Sequence, residues 1–151
     1  MLLDIYHIAH IHNLLSIIEA GGLFAKNRLK RDYTNIANNE IQHNRTYTRV
    51  PCASGGTLHD YVPFYFAPRS PMLHAVNGGK EYTGYQNNIL HLVVKTDAIA
   101  RESIPFAFTD GHAAMKYLSF FDTMKNQVQE ILQNVAHQPP IKIQLNWYYL
   151  K

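Results

Sequence analysis

The segment from His59 to Met72 constrains the fold more than any other part of this chain, because it joins an apolar run to the start of a helix. Tyr61–Phe66 is bulky and apolar, which predicts a buried strand. Arg69 follows it, and Ser70-Pro71 is typical of a helix start, with serine as N-cap and proline at the first helical position. Such a junction directs a guanidinium and free backbone N–H groups to one place, which suits an anion such as a phosphate.

The composition indicates one globular domain that spans residues 1–151. Hydrophobic residues make up 46% and charged residues 17% of the chain, which is typical of a folded protein rather than a disordered one. The apolar runs are too short to cross a membrane, and the N-terminus lacks the features of a signal peptide. The single cysteine, Cys52, fits a reducing compartment. We therefore expect a cytoplasmic protein with no membrane contact.

Strand and helix patterns are mixed without a regular alternation, which favours an α+β fold over a doubly wound sheet. Strands are predicted at Leu3–Ile8, Tyr61–Phe66, Ile89–Lys95, Phe106–Phe108 and Ile141–Leu145, the third of them buried. Helices are predicted after Asn13 as N-cap up to Gly21-Gly22, at Ala37–Arg45, from Pro71 to Val76, and from Ala113 to Val135 with a break near Asp122.

The net charge of +3 comes with a local concentration of basic residues. Lys26–Arg31 contains four of them, and Arg45 and Arg49 follow, with Tyr33 and Tyr47 among them. Cations interleaved with aromatic rings are typical of grooves that bind single-stranded nucleic acid. A solvated surface loop with extended basic side chains explains the same residues. Composition alone leaves both interpretations open.

Other site chemistries find little support in the sequence. His7, His10 and His12 lack a nearby carboxylate or cysteine that would complete a metal set, so no metal is expected. The chain has no G-x-S-x-G elbow, no P-loop and no dinucleotide-binding glycine fingerprint. Asp110 and His112 stand in a tight turn before a predicted helix, where a functional side chain and an ordinary N-cap are both common.

Four blocks of sequence carry a resemblance that these separate patterns do not. In chain order they are IYHIAHIHNLLSIIEAGGL, IQHNRTYTRV, LHDYVPFYFAPRSPML and FAFTDGHAA. Together they resemble the DarT family of bacterial DNA ADP-ribosyltransferase toxins. The resemblance implies an ADP-ribosyltransferase-like α+β fold, with a split central sheet and flanking helices around an NAD cleft. It also implies transfer of ADP-ribose from NAD, the co-substrate, to thymine in single-stranded DNA, and a macrodomain antitoxin of the DarG type as partner.

The resemblance also implies roles for individual residues. Catalysis is assigned to Arg45 and His112, NAD binding to His7, Asn13, Gly22, Leu23, Arg45 and Met72, and DNA binding to Lys26, Arg28, Arg31, Tyr47 and Arg69. Residues 24–44 would order over NAD and present the DNA. These residue types suit the chemistry, because breaking the nicotinamide bond builds positive charge on the ribose carbon. An arginine fork holds phosphate, and a neutral histidine can donate to a ribose hydroxyl.

The family's catalytic glutamate follows a segment that resembles LNWYYLK, where this chain reaches Lys151. The glutamates of this chain lie in other blocks: Glu19, Glu40, Glu81, Glu102 and Glu130. We therefore expect a truncated chain or a variant without that carboxylate, and self-association if a missing central strand leaves unpaired edges. The alternatives are a catalytically inactive module of the same fold that binds NAD, DNA or an antitoxin, and a transferase directed at RNA or protein.

Overall fold

The computed structural model describes residues 3–77, 86–109 and 119–123, and the backbone of residues 142–145. The strands are β1 Asp4–His10, β2 Val62–Tyr65, β3 Ile89–Lys95, β4 Phe106–Thr109, β5 Phe120–Phe121 and β6 Lys142–Leu145. The helices are α1 Leu14–Ala20, α2 Asn39–Tyr47, α3 Pro71–Asn77 and α4 Thr96–Arg101. Short 3-10 turns lie at Ile11–Asn13, Lys26–Arg28, Leu58–Asp60 and Gln86–Asn88. The expected α+β class is confirmed, and none of the described helices is long and apolar enough to cross a membrane.

The described strands form one antiparallel sheet in the order β3-β1-β2-β6-β4-β5. β1 pairs with β3 along its whole length, but it meets β2 only at the pair Tyr6↔Tyr65. Pro63 in β2 has no N–H to donate, which limits the ladder with β1. The sheet therefore opens between β1 and β2, and the split central sheet implied by the resemblance is confirmed in this form.

The core lies under this opening and fixes the two strands that border it. Ile5 of β1, Phe64 of β2 and Phe108 of β4 are at most 1% exposed and belong to one apolar cluster. Ile99 of α4 packs into the same cluster. Strand residues that alternate between the two faces of a sheet place these side chains on one side and the neighbouring residues on the other. His7 lies two residues after Ile5 and therefore on the same face of β1. Its ring is 5.6 Å from that of Phe64, so the core cluster holds His7 at the opening.

Several predicted elements are confirmed by the structure. α1 ends at Gly21, whose φ of 76° is the left-handed conformation that glycine adopts without strain. Ser70 caps α3, because its hydroxyl accepts a hydrogen bond from the Leu73 N–H at 3.1 Å. Asn38 caps α2, because its side chain accepts a hydrogen bond from the Ile41 N–H at 2.8 Å, and the helix begins at Asn39. The start of α2 was therefore predicted two residues early.

Other predictions about the elements were wrong. Asn13 does not cap α1: its backbone is helical and its side chain makes no capping hydrogen bond. β3 is not buried but lies at an edge of the described sheet, with Val93 52% exposed. Phe120 and Phe121 were predicted to be helical but form β5, which pairs with β4. The rest of the helix predicted from residue 113 to 135 lies outside the described residues.

The strand predicted at Ile141–Leu145 is confirmed as β6 and lies inside the described sheet. β6 pairs with β2 on one side and with β4 on the other. β6 is thus paired on both sides, and the self-association expected for a truncated chain stays a prediction. α4 was not predicted, because a helix of six residues is too short for its apolar period to be recognised.

Candidate functional site

A cavity of about 430 Å³ lies at the opening between β1 and β2. This volume falls within the range of small-molecule sites, about 300–1,000 Å³. Its walls are β1, β2, the face of α1 that carries Ser16, Ile17 and Ala20, the segment 22–37 and the face of α2 that carries Gln42 and Arg45. Gln42 and Arg45 are three residues apart, which places them on one side of the helix, and both line the cavity.

Arg45 brings a buried positive charge to the cavity wall. The residue is only 4% exposed, and its Nη2 donates a hydrogen bond to the Leu58 carbonyl oxygen at 2.8 Å. Burial lowers the pKa of Arg45 to about 10, while the neighbouring Tyr65 acts in the opposite direction. The guanidinium is still charged at neutral pH. A cation held with little access to water interacts strongly with an anion that enters the cavity.

His7 occupies the place where the ladder between β1 and β2 is interrupted. Its Nδ1 lies 2.8 Å from the Pro63 carbonyl oxygen, which can only accept, so Nδ1 carries the hydrogen. Burial lowers the pKa of His7, the backbone hydrogen bond to Pro63 opposes this, and Arg45 lowers it further. The imidazole is therefore neutral and its Nε2 is an acceptor. We expected this histidine to donate to a ribose hydroxyl, whereas the geometry favours accepting from one.

Residues 24–38, here called the pocket loop, form the outer wall of the cavity. Two hydrogen bonds join the loop to the start of α1: the Asn13 amide donates to the Thr34 carbonyl at 3.0 Å, and the Thr34 N–H donates to Asn13 Oδ1 at 2.8 Å. Arg31 pairs with Glu19 of α1 at 2.8 Å. Asn27 adds a hydrogen bond of 2.8 Å to Asp60. The loop is thus fixed at several points although it is mostly irregular.

The pocket loop gives the cavity a basic wall. Lys26, Arg28, Lys30 and Arg31 all line the cavity, and Asp32 is the one carboxylate among the described residues that line it. Tyr33 lies beside them and is 41% exposed. The resulting surface combines positive charge with an exposed aromatic ring, the combination expected for single-stranded nucleic acid.

The structure brings together most of the residues assigned by resemblance. His7, Asn13, Gly22, Leu23, Lys26, Arg28, Arg31, Arg45 and Met72 all line the cavity. Tyr47 and Arg69 are exposed and are not among the described residues that line it. His112 and Asp110 lie outside the described residues. The binding role of each residue stays a prediction, and for Asn13 the side-chain amide is already used by Thr34.

The anion site expected at the strand–helix junction does not coincide with the cavity. Arg69 is exposed, whereas Met72, three residues later, lines the cavity wall. α3 has only seven residues, so the helix dipole contributes little there. The positive charges at the described cavity come from the pocket loop and Arg45 instead.

Comparison with known proteins assigns the chain to a family. The profile described as "ssDNA thymidine ADP-ribosyltransferase, DarT" matches residues 6–126. The chain belongs to the DarT family. A DNA ADP-ribosyl transferase of Thermus sp. strain 2.9 is 46% identical over 130 residues, which are 85% of this chain and 60% of the relative. The chain therefore spans about 60% of the length of that relative.

Solved DarT structures share the fold. Thermus sp. 2.9 DarT in complex with ADP-ribosylated ssDNA superimposes with a TM-score of 0.83 at 39% identity, covering 94% of this chain and 74% of that chain. The same protein in complex with NAD+ gives a TM-score of 0.78 at 37% identity, with the same coverage. These likenesses confirm the ADP-ribosyltransferase-like fold that the four sequence blocks implied.

Sequence reasoning missed part of the cavity wall. His59 and Tyr65 line the cavity and are 4% and 2% exposed. Tyr65 lies in the predicted strand Tyr61–Phe66, and His59 lies two residues before it, so neither stood out from the apolar residues of that segment. A histidine next to an aspartate, just before a buried strand, was the available signal for His59.

Proposed function

We propose that this chain is an NAD-dependent ADP-ribosyltransferase that modifies thymine bases in single-stranded DNA. The observation that carries the proposal is the buried, charged Arg45 in a cavity whose outer wall is basic. Membership of the DarT family supports it, as do related structures that hold NAD+ or ADP-ribosylated ssDNA. The wider role that we propose is that of a cytoplasmic toxin, neutralised by a macrodomain antitoxin of the DarG type.

Arg45 and His7 suit two groups of NAD that the site would hold, the pyrophosphate and a ribose. The arginine fork would hold a pyrophosphate oxygen, since a guanidinium offers two parallel hydrogen bonds to phosphate. The neutral His7 would accept a hydrogen bond from a ribose hydroxyl without adding charge near the ribose carbon. Positive charge develops on that carbon as nicotinamide leaves, so a second cation there would oppose the reaction.

The basic wall and Tyr33 suit single-stranded DNA, the proposed acceptor of ADP-ribose. Lys26, Arg28 and Lys30 would contact DNA phosphates, and the exposed ring of Tyr33 would stack on a base. A single strand is favoured over a duplex, because a stacked and paired base cannot present its ring nitrogen to a cavity. Holding the thymine against the ribose would supply the orientation that a two-substrate transfer needs.

Transfer to a thymine nitrogen also requires removal of a proton from that nitrogen. Asp32 is the one carboxylate among the described residues that line the cavity, and it lies in the pocket loop. Because the described cavity wall offers no other carboxylate for this step, a second candidate function is a catalytically inactive module that binds NAD and DNA. The two candidates differ in one outcome, since only the first changes the mass of the DNA.

The test is the intact mass of a thymine-containing single-stranded oligonucleotide after incubation with the chain and NAD. A gain of one ADP-ribose unit on this oligonucleotide, and none on a matched oligonucleotide without thymine or on the duplex, is the expected result. Arg45→Ala should abolish the gain. Modification of RNA or protein but not of DNA would contradict the proposed substrate. No gain together with retained NAD binding would support the inactive module instead.

A further inference from the structure

His59 stands at the centre of a polar network behind Arg45. It lies in the 3-10 turn Leu58–Asp60 and is 4% exposed. Its Nε2 is 3.0 Å from Gln42 Oε1, and its Nδ1 is 3.3 Å from the Thr46 hydroxyl. Both partners belong to α2, the helix that carries Arg45. Since each ring nitrogen has a partner on α2, the imidazole fixes the turn against that helix.

The hydrogen-bonding roles within the network can be assigned. Gln42 Oε1 also lies within 3.5 Å of the Lys26 ammonium, which can only donate. The Gln42 oxygen therefore accepts, and His59 Nε2 carries the hydrogen. His59 Nδ1 is then an acceptor that faces the Thr46 hydroxyl at 3.3 Å, and this hydroxyl also donates to the Gln42 backbone carbonyl at 3.2 Å.

The charges around His59 favour the neutral ring. Lys26 of the pocket loop and Arg45 of α2 both disfavour a protonated imidazole, and Asp60 of its own turn favours one. Asp60 is held by hydrogen bonds from Asn27 and Thr57. Burial is the largest effect, and together these lower the pKa of His59 to about 4.

The polar network around His59 extends, through Leu58, to the Arg45 guanidinium at the proposed NAD site. Leu58 precedes His59 in the same turn, and its carbonyl oxygen accepts the 2.8 Å hydrogen bond from Arg45 Nη2. The backbone N–H of Leu58 donates to the Thr48 carbonyl at 3.0 Å, just after the end of α2. The position of the Leu58 carbonyl relative to α2 therefore depends on how the turn is held, and His59 supplies the side-chain hydrogen bonds that hold it there.

We infer that His59 is a positioning residue, whose imidazole joins the 3-10 turn to α2 and so orients the Arg45 guanidinium at the cavity. This inference rests on the proposed function for its catalytic consequence, because Arg45 is placed there as the phosphate-holding and catalytic side chain. His59 itself needs no contact with NAD or DNA. Its effect is carried by the Leu58 carbonyl.

The first test needs no activity. Nitrogen-15 NMR of the imidazoles between pH 5 and 8 should show His59 as the Nε2–H form with no titration midpoint in that range. A midpoint near 6.5 would overturn the inference. The Arg45 guanidinium signal should move in His59→Phe and stay in place in His43→Phe, a matched change at an exposed histidine of the same helix. An unmoved Arg45 signal in folded His59→Phe would also overturn it.

The second test measures transfer to the thymine oligonucleotide. His59→Phe should lower kcat/KM for NAD by about 10- to 100-fold, because a misplaced Arg45 guanidinium holds the pyrophosphate less well and small misplacement of a catalytic group has effects of that size. His59→Gln, which keeps a donor toward Gln42, should recover most of the loss. Thr46→Val gives the same direction of change if His59→Phe does not fold. A wild-type kcat/KM for NAD in folded His59→Phe contradicts the inference, whereas an inactive wild type contradicts the proposed function and leaves the NMR test decisive.

Discussion

Replacing Asn13 with alanine removes both hydrogen bonds that join the pocket loop to the start of α1. The bonds measure 3.0 Å, from the Asn13 amide to the Thr34 carbonyl, and 2.8 Å, from the Thr34 N–H to Asn13 Oδ1. A typical protein hydrogen bond contributes about 0.5–1.5 kcal/mol net. The two together are expected to contribute about 2 kcal/mol to the closed loop, which is roughly a 30-fold change in the opening equilibrium.

The neighbouring contacts do not compensate for this loss. The ion pair between Arg31 and Glu19 is exposed, and exposed pairs contribute about 0–1 kcal/mol. The bond from Asn27 to Asp60 is also exposed and lies at the other end of the loop. The free energy of local opening near Thr34 should therefore fall by nearly the full contribution of the two Asn13 hydrogen bonds.

Amide hydrogen exchange at Thr34 measures this opening directly. Exchange should accelerate by roughly 30-fold in Asn13→Ala, and stay within about threefold of wild type in Asn44→Ala, a matched asparagine on the exposed side of α2. NAD affinity should fall by less than the exchange rate rises, because the affinity drops only when the open loop is more populated than the closed one. Unchanged Thr34 exchange in folded Asn13→Ala would refute the reasoning.

Three further predictions concern the charged group, acid stability and a loop glycine. Arg45→Lys keeps the charge but loses the fork, so calorimetry should show NAD affinity reduced about tenfold or more; an unchanged affinity would contradict the assigned role. The folded pKa of His59, about 4, lies below its unfolded value of about 6.5, so its stabilising contribution is complete above pH 6.5 and is lost as pH falls toward 4. Urea unfolding should show up to about 3 kcal/mol of this loss, with a smaller slope in His59→Phe; equal slopes would contradict the shift. Gly56→Ala places a Cβ 2.6 Å from Asp60 Oδ2 at a φ of +80°, whereas Gly21→Ala at +76° meets nothing within 4 Å, so Gly56→Ala should lower the Tm more; equal losses would contradict the contact.

The sequence correctly predicted the helix ends that depend on a cap or a glycine stop. Ser70-Pro71 predicted the start of α3, and the Gly21 stop of α1 appears as a left-handed glycine. These succeed because capping and chain reversal depend on a few adjacent residues. Asn13 failed as an N-cap because a tertiary contact, the pocket loop, uses its amide instead. Phe120 and Phe121 failed as helix because β4 offers a strand partner.

The sequence predicted the part of the candidate site that depends on regular spacing within one helix or on the resemblance to the family. The resemblance pointed to Arg45 and His7, and the spacing of Gln42 and Arg45 places both on one face of the predicted helix. His59 and Tyr65 could not be found this way, since their place at the cavity depends on how β2 and the turn before it meet α2. The direction of the His7 hydrogen bond depends on the Pro63 carbonyl, 56 residues along the chain. Contacts of this separation leave no periodic signal.

The claim that the opening between β1 and β2 is the NAD site can be tested most directly by titrating the wild-type chain with NAD and following its NMR spectrum. The account predicts saturable binding at one site, with the largest shifts at His7, Arg45 and Thr34, and loss of binding in Arg45→Ala. Absence of binding, or shifts centred on Arg69 and α3 instead, would contradict the account.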